Sequence, residues 1–197
     1  MDGKLGGYPI IAASPPIRLI VAGGFFAVAH LKNRRTTQDL DYLLDPALAA
    51  NGDVKGPFQN AIKEVAEELG YTRDWANEDI AVFVTKEATE QLMEGAIKQD
   101  ITLWLGKNIR VLAAPVEWAL ERKLRRIYAL DRGRKAELDM SDALAMLRLL
   151  RDRNGGKLDM EYYRQLNVNG FDVLPDHYTM HAIALAYKAK YGEDIFL

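Results

Sequence analysis

The strongest constraint on the fold is a short β-branched run that ends in two glycines and leads directly into an apolar segment. Residues 17–22 (IRLIVA) have the composition of a buried strand, and Gly23-Gly24 allow the chain to turn sharply. Residues 25–31 (FFAVAHL) are apolar on nearly every side, which predicts a buried helix. A strand, a tight turn and a helix in this order favour folds in which helices pack against a sheet.

The remainder of the first 114 residues continues to alternate between strands and helices. Further strands are predicted at 39–44, 81–85, 100–105 and 109–112, the last two as a hairpin around 106–108. Helices are predicted from Pro57 to Gly70 and at 86–98.

From Pro115 onward the pattern is helical throughout. Helices are predicted at 115–130, 141–151, 160–166 and 176–190. The sequence therefore predicts an α+β fold, with a mixed β-sheet flanked by helices in residues 17–114 and a C-terminal helical extension, 115–197, packed on that core. Residues 1–16 are repeatedly interrupted by glycine and proline, and we expect them to form a flexible arm.

Composition narrows the functional classes. The chain of 197 residues is 49% hydrophobic, which is enough for a real core, and 26 basic residues nearly balance 28 acidic ones, which argues against bulk nucleic-acid binding by charge alone. It has no cysteine, so thiolate nucleophiles and cysteine-ligated metals are excluded. The apolar run at 9–13 is too short for a signal peptide or a membrane span, and we expect a cytoplasmic protein without a membrane partner.

Asp39 and Asp41 form the most informative acidic pair. They are two residues apart in a predicted strand, so both carboxylates project from the same face. Two like charges side by side repel each other unless a cation lies between them, and carboxylate oxygens suit Mg²⁺. The alternative is a solvated acidic face on an edge strand. What favours a metal site is the neighbouring Gly23-Gly24 turn, whose backbone N–H groups can approach a phosphate.

Together these residues resemble a known family. The pattern resembles the nucleotidyltransferase superfamily typified by DNA polymerase beta; it consists of Gly23-Gly24 followed by Arg35-x-Thr37-x-Asp39-Leu40-Asp41. Within that superfamily, it is most similar to the minimal, AbiEii-type branch found in type IV toxin–antitoxin systems. The resemblance implies that the acidic pair binds Mg²⁺ and a nucleoside triphosphate, and that Gly23, Gly24, Arg35 and Thr37 contact the nucleotide. It also implies a third carboxylate from a later strand, which Asp100 matches best and Asp79 less well.

The helical half carries a second part of the resemblance. Lys123 falls in the middle of the apolar stripe of its predicted helix, where an ammonium has to reach solvent or meet an anion. AbiEii-like proteins have a K-x-x-A-x-x-x-R helix facing the triphosphate, followed by R-D-x-x-D. Lys123 matches the lysine, whereas Arg126 and Leu130 occupy the alanine and arginine positions. The resemblance implies that Lys123 and Arg126 bind the nucleotide. Asp139 and Asp142 match the paired aspartates, with helix capping as the alternative.

Other candidate residues favour structural roles. The basic residues between 122 and 135 are expected to form a solvated helix face, although they have the density to bind RNA or a triphosphate; they are Arg122, Lys123, Arg125, Arg126, Arg132, Arg134 and Lys135. His177 and His181 lie one helical turn apart, with no third ligand suggested. Trp75 is expected to be a packing anchor rather than a platform for a nucleotide base.

The sequence thus leads to two functional hypotheses. The first is a Mg²⁺-dependent nucleotidyltransferase that uses Asp39, Asp41 and Asp100 and transfers a nucleotide to a hydroxyl of RNA, a protein or a small molecule. The second is a non-catalytic binding or interaction protein that retains the fold.

Overall fold

The structure is a computed structural model that describes residues 1–129, 133–168, 170 and 173–197. It is an α+β protein with two compact units, Met1–Pro115 and Val116–Leu197. The first unit contains the strands of the sheet together with helices, and the second is helical. The change between them falls where the sequence pattern becomes purely helical.

Among the described residues, five strands form one open, mixed sheet in the order β3-β2-β1-β5-β4. The strands are β1 (Ile17–Val21), β2 (Leu40–Leu44), β3 (Ala76–Asn77), β4 (Thr102–Leu105) and β5 (Ile109–Ala113). The central strand β1 pairs antiparallel with β2 and parallel with β5. Its residues from Leu19 to Val21 are buried, as the β-branched run predicted.

The helices of the first unit cover the sheet. They are α1 (Asp2–Leu5), α2 (Pro9–Ala12), α3 (Gly24–Phe26), α4 (Pro46–Ala49), α5 (Gly52–Leu69) and α6 (Lys86–Gln99). A π-helical segment, Ala27–Leu31, continues α3, and a 3₁₀ helix occupies Asp79–Phe83. The predicted helix at 86–98 and the hairpin of β4 and β5 are confirmed.

The helix after the diglycine is less buried than its composition suggested. Phe26 and Ala27 are fully buried, but Val28 and Leu31 are half-buried and His30 is exposed. The π-helical turn stacks the His30 ring on Phe26, with 5.7 Å between ring centroids. An apolar sequence therefore lies at the margin of the core, because one side of the helix faces the polar segment that follows it.

The N-terminal arm is not loose. Leu5 and Ile11 are 0% and 1% exposed and belong to the same core as β1 and α5. The Asp2 carboxylate accepts hydrogen bonds from the backbone N–H groups of Lys107, Asn108 and Ile109, at 3.2, 2.7 and 3.1 Å. The prediction was wrong because glycine and proline limit helix length without preventing short helices whose apolar residues reach the core.

Two further predictions are corrected. Residues 81–85 are not a strand, since they largely belong to the 3₁₀ helix at 79–83, and the sheet is extended instead by the short β3. Pro57 does not open its helix but lies inside α5, which begins after the Asn51 N-cap and ends at Gly70. The preceding residue, Gly56, has no Cβ to clash with the proline ring, which makes an interior proline tolerable there.

The second unit consists of α7 (Val116–Ala129), α8 (Ala136–Asn154), α9 (Met160–Arg164) and α10 (His177–Tyr191), with a 3₁₀ turn at Gly133–Lys135. The predicted helices are confirmed, although α8 begins five residues earlier than expected. Leu130, the predicted end of α7, lies outside the described residues. In the described part of the chain, no helix is both long enough and apolar enough to cross a bilayer.

We predict that Asp2→Ala lowers the free energy of unfolding by about 1–3 kcal/mol, because three backbone N–H groups of the hairpin turn lose a charged acceptor. Urea unfolding followed by circular dichroism measures the change. Glu67→Ala, which removes an exposed carboxylate from α5, is the control and should change stability by less than about 0.5 kcal/mol. Equal effects of the two variants would contradict the capping role of Asp2.

Candidate functional site

The diglycine turn and the acidic pair meet at one edge of the sheet. Because β1 and β2 are antiparallel, with Val21 opposite Tyr42, the end of β1 lies beside the beginning of β2. Gly23 and Gly24 follow β1, while Asp39 directly precedes β2 and Asp41 is its second residue. Strand pairing thus brings together the two parts of the sequence that the resemblance singles out.

Gly23 lies directly against Asp41. Its backbone has φ 76° and ψ −140°, a conformation that is costly for any residue with a side chain. A Cβ at this position would be 3.2 Å from the Oδ2 atom of Asp41. Glycine therefore avoids backbone strain in the turn, and it also avoids a tight contact with the carboxylate.

Gly24 is covered by the segment that leads into β2. A Cβ on Gly24 would overlap the Thr37 hydroxyl and would lie 2.9 Å from Thr37 Cβ and 3.6 Å from Arg34 Nη1. The Thr37 hydroxyl is also 3.2 Å from Asp39 Oδ1, to which it donates a hydrogen bond. Thr37 therefore connects the second glycine of the turn to the first aspartate.

The two carboxylates differ in environment. Asp39 is exposed and Asp41 is half-buried, so solvent and a bound ligand can reach the pair. Tyr42, the next residue along β2, points to the other side of the sheet, where it packs edge-on against Phe58. Burial, and secondarily the Glu78 carboxylate, raises the pKa of the Tyr42 hydroxyl well above its usual range. Tyr42 is therefore protonated at neutral pH and does not act as a base.

The structure does not bring Asp100 to this pair. Asp100 caps α6 with φ 55° and forms an ion pair with Arg110, with 2.6 Å between Oδ1 and Nη2. It precedes β4, three strand-to-strand steps from β2, which corresponds to roughly 14 Å. Asp79, the weaker alternative, begins the 3₁₀ helix, and its backbone N–H donates to Asn77 Oδ1.

Within the described residues, no group of three or more His, Cys, Asp or Glu side chains is placed to hold a metal ion. The two carboxylates placed beside the diglycine turn are those of Asp41, next to Gly23, and Asp39, which Thr37 connects to Gly24. Two carboxylates offer hard oxygen ligands of the kind that Mg²⁺ accepts when phosphates and water complete its octahedron. The donor set fits such an ion in chemistry and leaves most of the coordination sphere to a substrate.

In the helical unit, the Lys123 ammonium pairs with carboxylates of the same chain. Its side chain is 3% exposed, and Nζ lies 2.6 Å from Asp139 Oδ1 and 2.7 Å from Asp142 Oδ2. Arg126 Nε is 3.8 Å from Asp139 Oδ2. The charge on Lys123 is thus already balanced by two carboxylates. Lys123 therefore belongs to a buried ion cluster, instead of making the triphosphate contact that was expected.

The capping hypothesis for the two aspartates is wrong. Helix α8 begins at Ala136, so Asp139 and Asp142 lie within it, one turn apart and on one face. The sequence contained part of the signal for this cluster, because a lysine in the apolar stripe of a helix has to reach solvent or meet an anion. Spacing alone did not show that the aspartates on the next helix supply it.

The other basic residues between 122 and 135 mostly make structural contacts. Arg125 pairs with the buried Glu121 and donates to the Leu166 carbonyl and to the Asn167 side chain. The Arg122 guanidinium lies over the Trp118 ring, 5.1 Å from its centroid. Arg132 and the side chain of Arg134 lie outside the described residues.

Of the remaining sequence candidates, Trp75 has a structural role. The Trp75 indole N–H donates to the Ile62 carbonyl at 3.1 Å, and the ring packs against the core, so the predicted packing role is confirmed. His177 Nε2 lies 3.9 Å from Glu161 Oε2, and His181 is exposed. A groove of about 520 Å³ is lined by the Arg18–Asp45 pair and by α6. It lies at the opposite end of β1 and β2 from the acidic pair.

Comparisons with models of protein families, with curated proteins and with solved structures found no match to this chain. The functional assignment therefore depends on the geometry of the residues themselves. The strongest element of that geometry is the placement of Asp39, Asp41 and Thr37 against Gly23 and Gly24.

We predict that Gly23→Ala lowers the free energy of unfolding by about 1–3 kcal/mol, because alanine at φ 76° is strained. The added Cβ also displaces the Asp41 carboxylate. Thermal or urea unfolding measures the effect. Gly52→Ala is the matched control, since Gly52 has space for a Cβ in the first turn of α5, and we expect a change below about 1 kcal/mol. An unchanged stability of Gly23→Ala would show that the turn is not constrained as described.

We predict that Lys123→Met destabilises the helical unit by about 3–5 kcal/mol, because it leaves two buried carboxylates without their cation. Lys157→Met is the matched control, since Lys157 and its partner Asp194 are both about half exposed, and we expect it to change stability by less than about 1 kcal/mol. Denaturant unfolding of both variants gives the comparison. A loss for Lys123→Met no larger than that of the control would contradict a structural role for the buried cluster.

Proposed function

We propose that the protein is a Mg²⁺-dependent nucleotidyltransferase, in which Asp39 and Asp41 hold the metal and the Gly23-Gly24 turn receives the phosphates. The observation that carries the proposal is the approach of the Asp41 carboxylate to Gly23, with Oδ2 3.2 Å from the point where a Cβ atom would lie. Thr37 adds a link from Gly24 to Asp39. An acidic pair with a purely solvated role would not need to lie against a turn that only glycine permits.

The chemistry follows from the charges at this edge of the sheet. A Mg²⁺ ion bound there would neutralise phosphate charge and stabilise the attacking and leaving oxygens of an in-line displacement. The acceptor hydroxyl attacks the α-phosphorus and releases its proton to solvent, the bond from the α-phosphorus to the bridging oxygen breaks, and pyrophosphate leaves. Asp39 and Asp41 would hold that ion, while a guanidinium of the Arg34-Arg35 segment supplies positive charge.

The resemblance to AbiEii-type nucleotidyltransferases extends this proposal to the fold and to the cellular role. Lys123, Asp139 and Asp142 match the lysine and the paired aspartates of the family in sequence, and in this chain they contact one another. On this basis the mixed sheet is nucleotidyltransferase-like. The protein acts in the cytoplasm on a nucleoside triphosphate, with RNA, a protein or a small molecule as acceptor, in a toxin–antitoxin-like setting.

A second candidate is a binding or interaction protein that keeps a nucleotide site without turnover. It is favoured by the position of Asp100, whose carboxylate is paired with Arg110 instead of joining the acidic pair. With its carboxylate held by Arg110, Asp100 is not in place to act as a base for the acceptor hydroxyl. Binding of a nucleotide needs only the pair of aspartates and the glycine turn.

The first test is transfer of label from α-³²P-labelled nucleoside triphosphates in the presence of Mg²⁺. Asp39→Asn and Asp41→Asn should each reduce transfer by at least about a hundredfold, because a metal contributes several kcal/mol of transition-state stabilisation. Glu67→Gln, which changes an exposed carboxylate on α5, is the control and should retain full activity. Full activity of either aspartate variant would reject the assignment of the pair.

Calorimetry separates the two candidates. Nucleotide binding that requires Mg²⁺ and is accompanied by pyrophosphate release supports the transferase. Binding of the same nucleotides without pyrophosphate release, across RNA, protein and small-molecule acceptors, supports the binding protein. In both cases Asp39→Asn should weaken Mg²⁺-dependent binding.

A further inference from the structure

The segment between the π-helical turn and β2 folds back over the diglycine. Lys32 ends the π-helical segment in the left-handed conformation, with φ 57°, which reverses the direction of the chain. The following residues then return across Gly24, where the Thr37 side chain covers the Cα atom. This return places an arginine of the segment beside the turn.

Of the two adjacent arginines, the structure places Arg34 at the turn. Arg34 Nη1 is 3.6 Å from the Cβ position of Gly24, and the side chain is half-buried. Arg35, the arginine of the R-x-T-x-D-x-D pattern, is exposed to solvent. Arg35 lies at a bend of the segment, so the half-buried Arg34 is the arginine that the structure shows beside the diglycine.

The surrounding charges give the Arg34 guanidinium a function. Asp39 and Asp41 concentrate negative charge at this edge of the sheet, and a triphosphate adds more. An arginine presents planar, bidentate donors that match phosphate oxygens, and it stays protonated at all relevant pH values. Lys123 does not supply this charge, because its ammonium is already held by Asp139 and Asp142.

We infer that Arg34, and not Arg35, is the side chain that binds the phosphates of the nucleotide at the Gly23-Gly24 turn. This inference rests on the proposed function, since it concerns the same site. In the absence of nucleotide, the guanidinium lies at the acidic edge of the sheet. With nucleotide bound, it contacts phosphate oxygens beside Gly24.

The test is calorimetric titration with Mg²⁺–ATP, Mg²⁺–GTP and Mg²⁺–tripolyphosphate of the full chain and four variants: Arg34→Gln, Arg34→Lys, Arg35→Gln and Lys63→Gln. The last removes an exposed lysine of α5 and controls for net charge. Arg34→Gln should raise Kd by at least about tenfold, or roughly 1.4 kcal/mol. Arg34→Lys should fall between it and wild type, because a lysine retains the charge but not the bidentate geometry.

Arg35→Gln and Lys63→Gln should change Kd by less than about threefold, since both remove exposed charges. Tripolyphosphate is included because the inference concerns phosphates, so the loss in Arg34→Gln should be the same with and without a nucleoside. Thermal unfolding of each variant identifies losses that come from unfolding.

The outcomes separate the two proposals. A larger loss in Arg35→Gln than in Arg34→Gln, or no loss in either while wild type binds nucleotide, overturns the inference and leaves the proposed function intact. If wild type binds none of the three phosphate compounds, both proposals are rejected together. If Arg34→Gln does not fold, Arg34→Lys is compared with wild type instead. A folded Arg34→Lys variant that binds with wild-type affinity would contradict the inference.

Discussion

The antiparallel pairing of β1 with β2 is the interaction on which the candidate site depends. It fixes Val21 opposite Tyr42, so the turn after one strand and the acidic start of the other share one edge of the sheet. A shift of the β1–β2 pairing by one residue would move every β2 side chain to the opposite face of the sheet and take Asp41 away from Gly23. Register is held by the buried residues of both strands, which means that the hydrophobic core also sets the geometry of the polar site.

A second constraint operates inside the helical unit. One ammonium and two carboxylates, those of Lys123, Asp139 and Asp142, are almost completely removed from solvent. Desolvating them is costly unless they contact each other, so the cluster links α7 to α8 through buried charged contacts. Of these three residues, the family resemblance associates Lys123 with a nucleotide, and in this chain the two aspartates balance its charge.

The sequence predicted much of the fold because its local signals were strong. The run before Gly23, the helix at 86–98 and the hairpin around Gly106 each have a clear hydrophobic period and clear end signals. The strand at 81–85 was wrong because a short apolar run has no period long enough to distinguish a strand from a 3₁₀ turn. The prediction that Pro57 begins its helix was wrong because Gly56, the preceding residue, makes a proline acceptable inside the helix.

What the sequence alone determined is which residue types are available for chemistry. With no cysteine and with Asp39 and Asp41 two apart on a strand, a site of hard oxygen ligands near a glycine turn was already indicated. Tertiary structure decided which residues share a location. It separated Asp100 from the pair and placed Arg34 rather than Arg35 at Gly24, because strand order and the direction of a returning loop depend on contacts far apart in the chain.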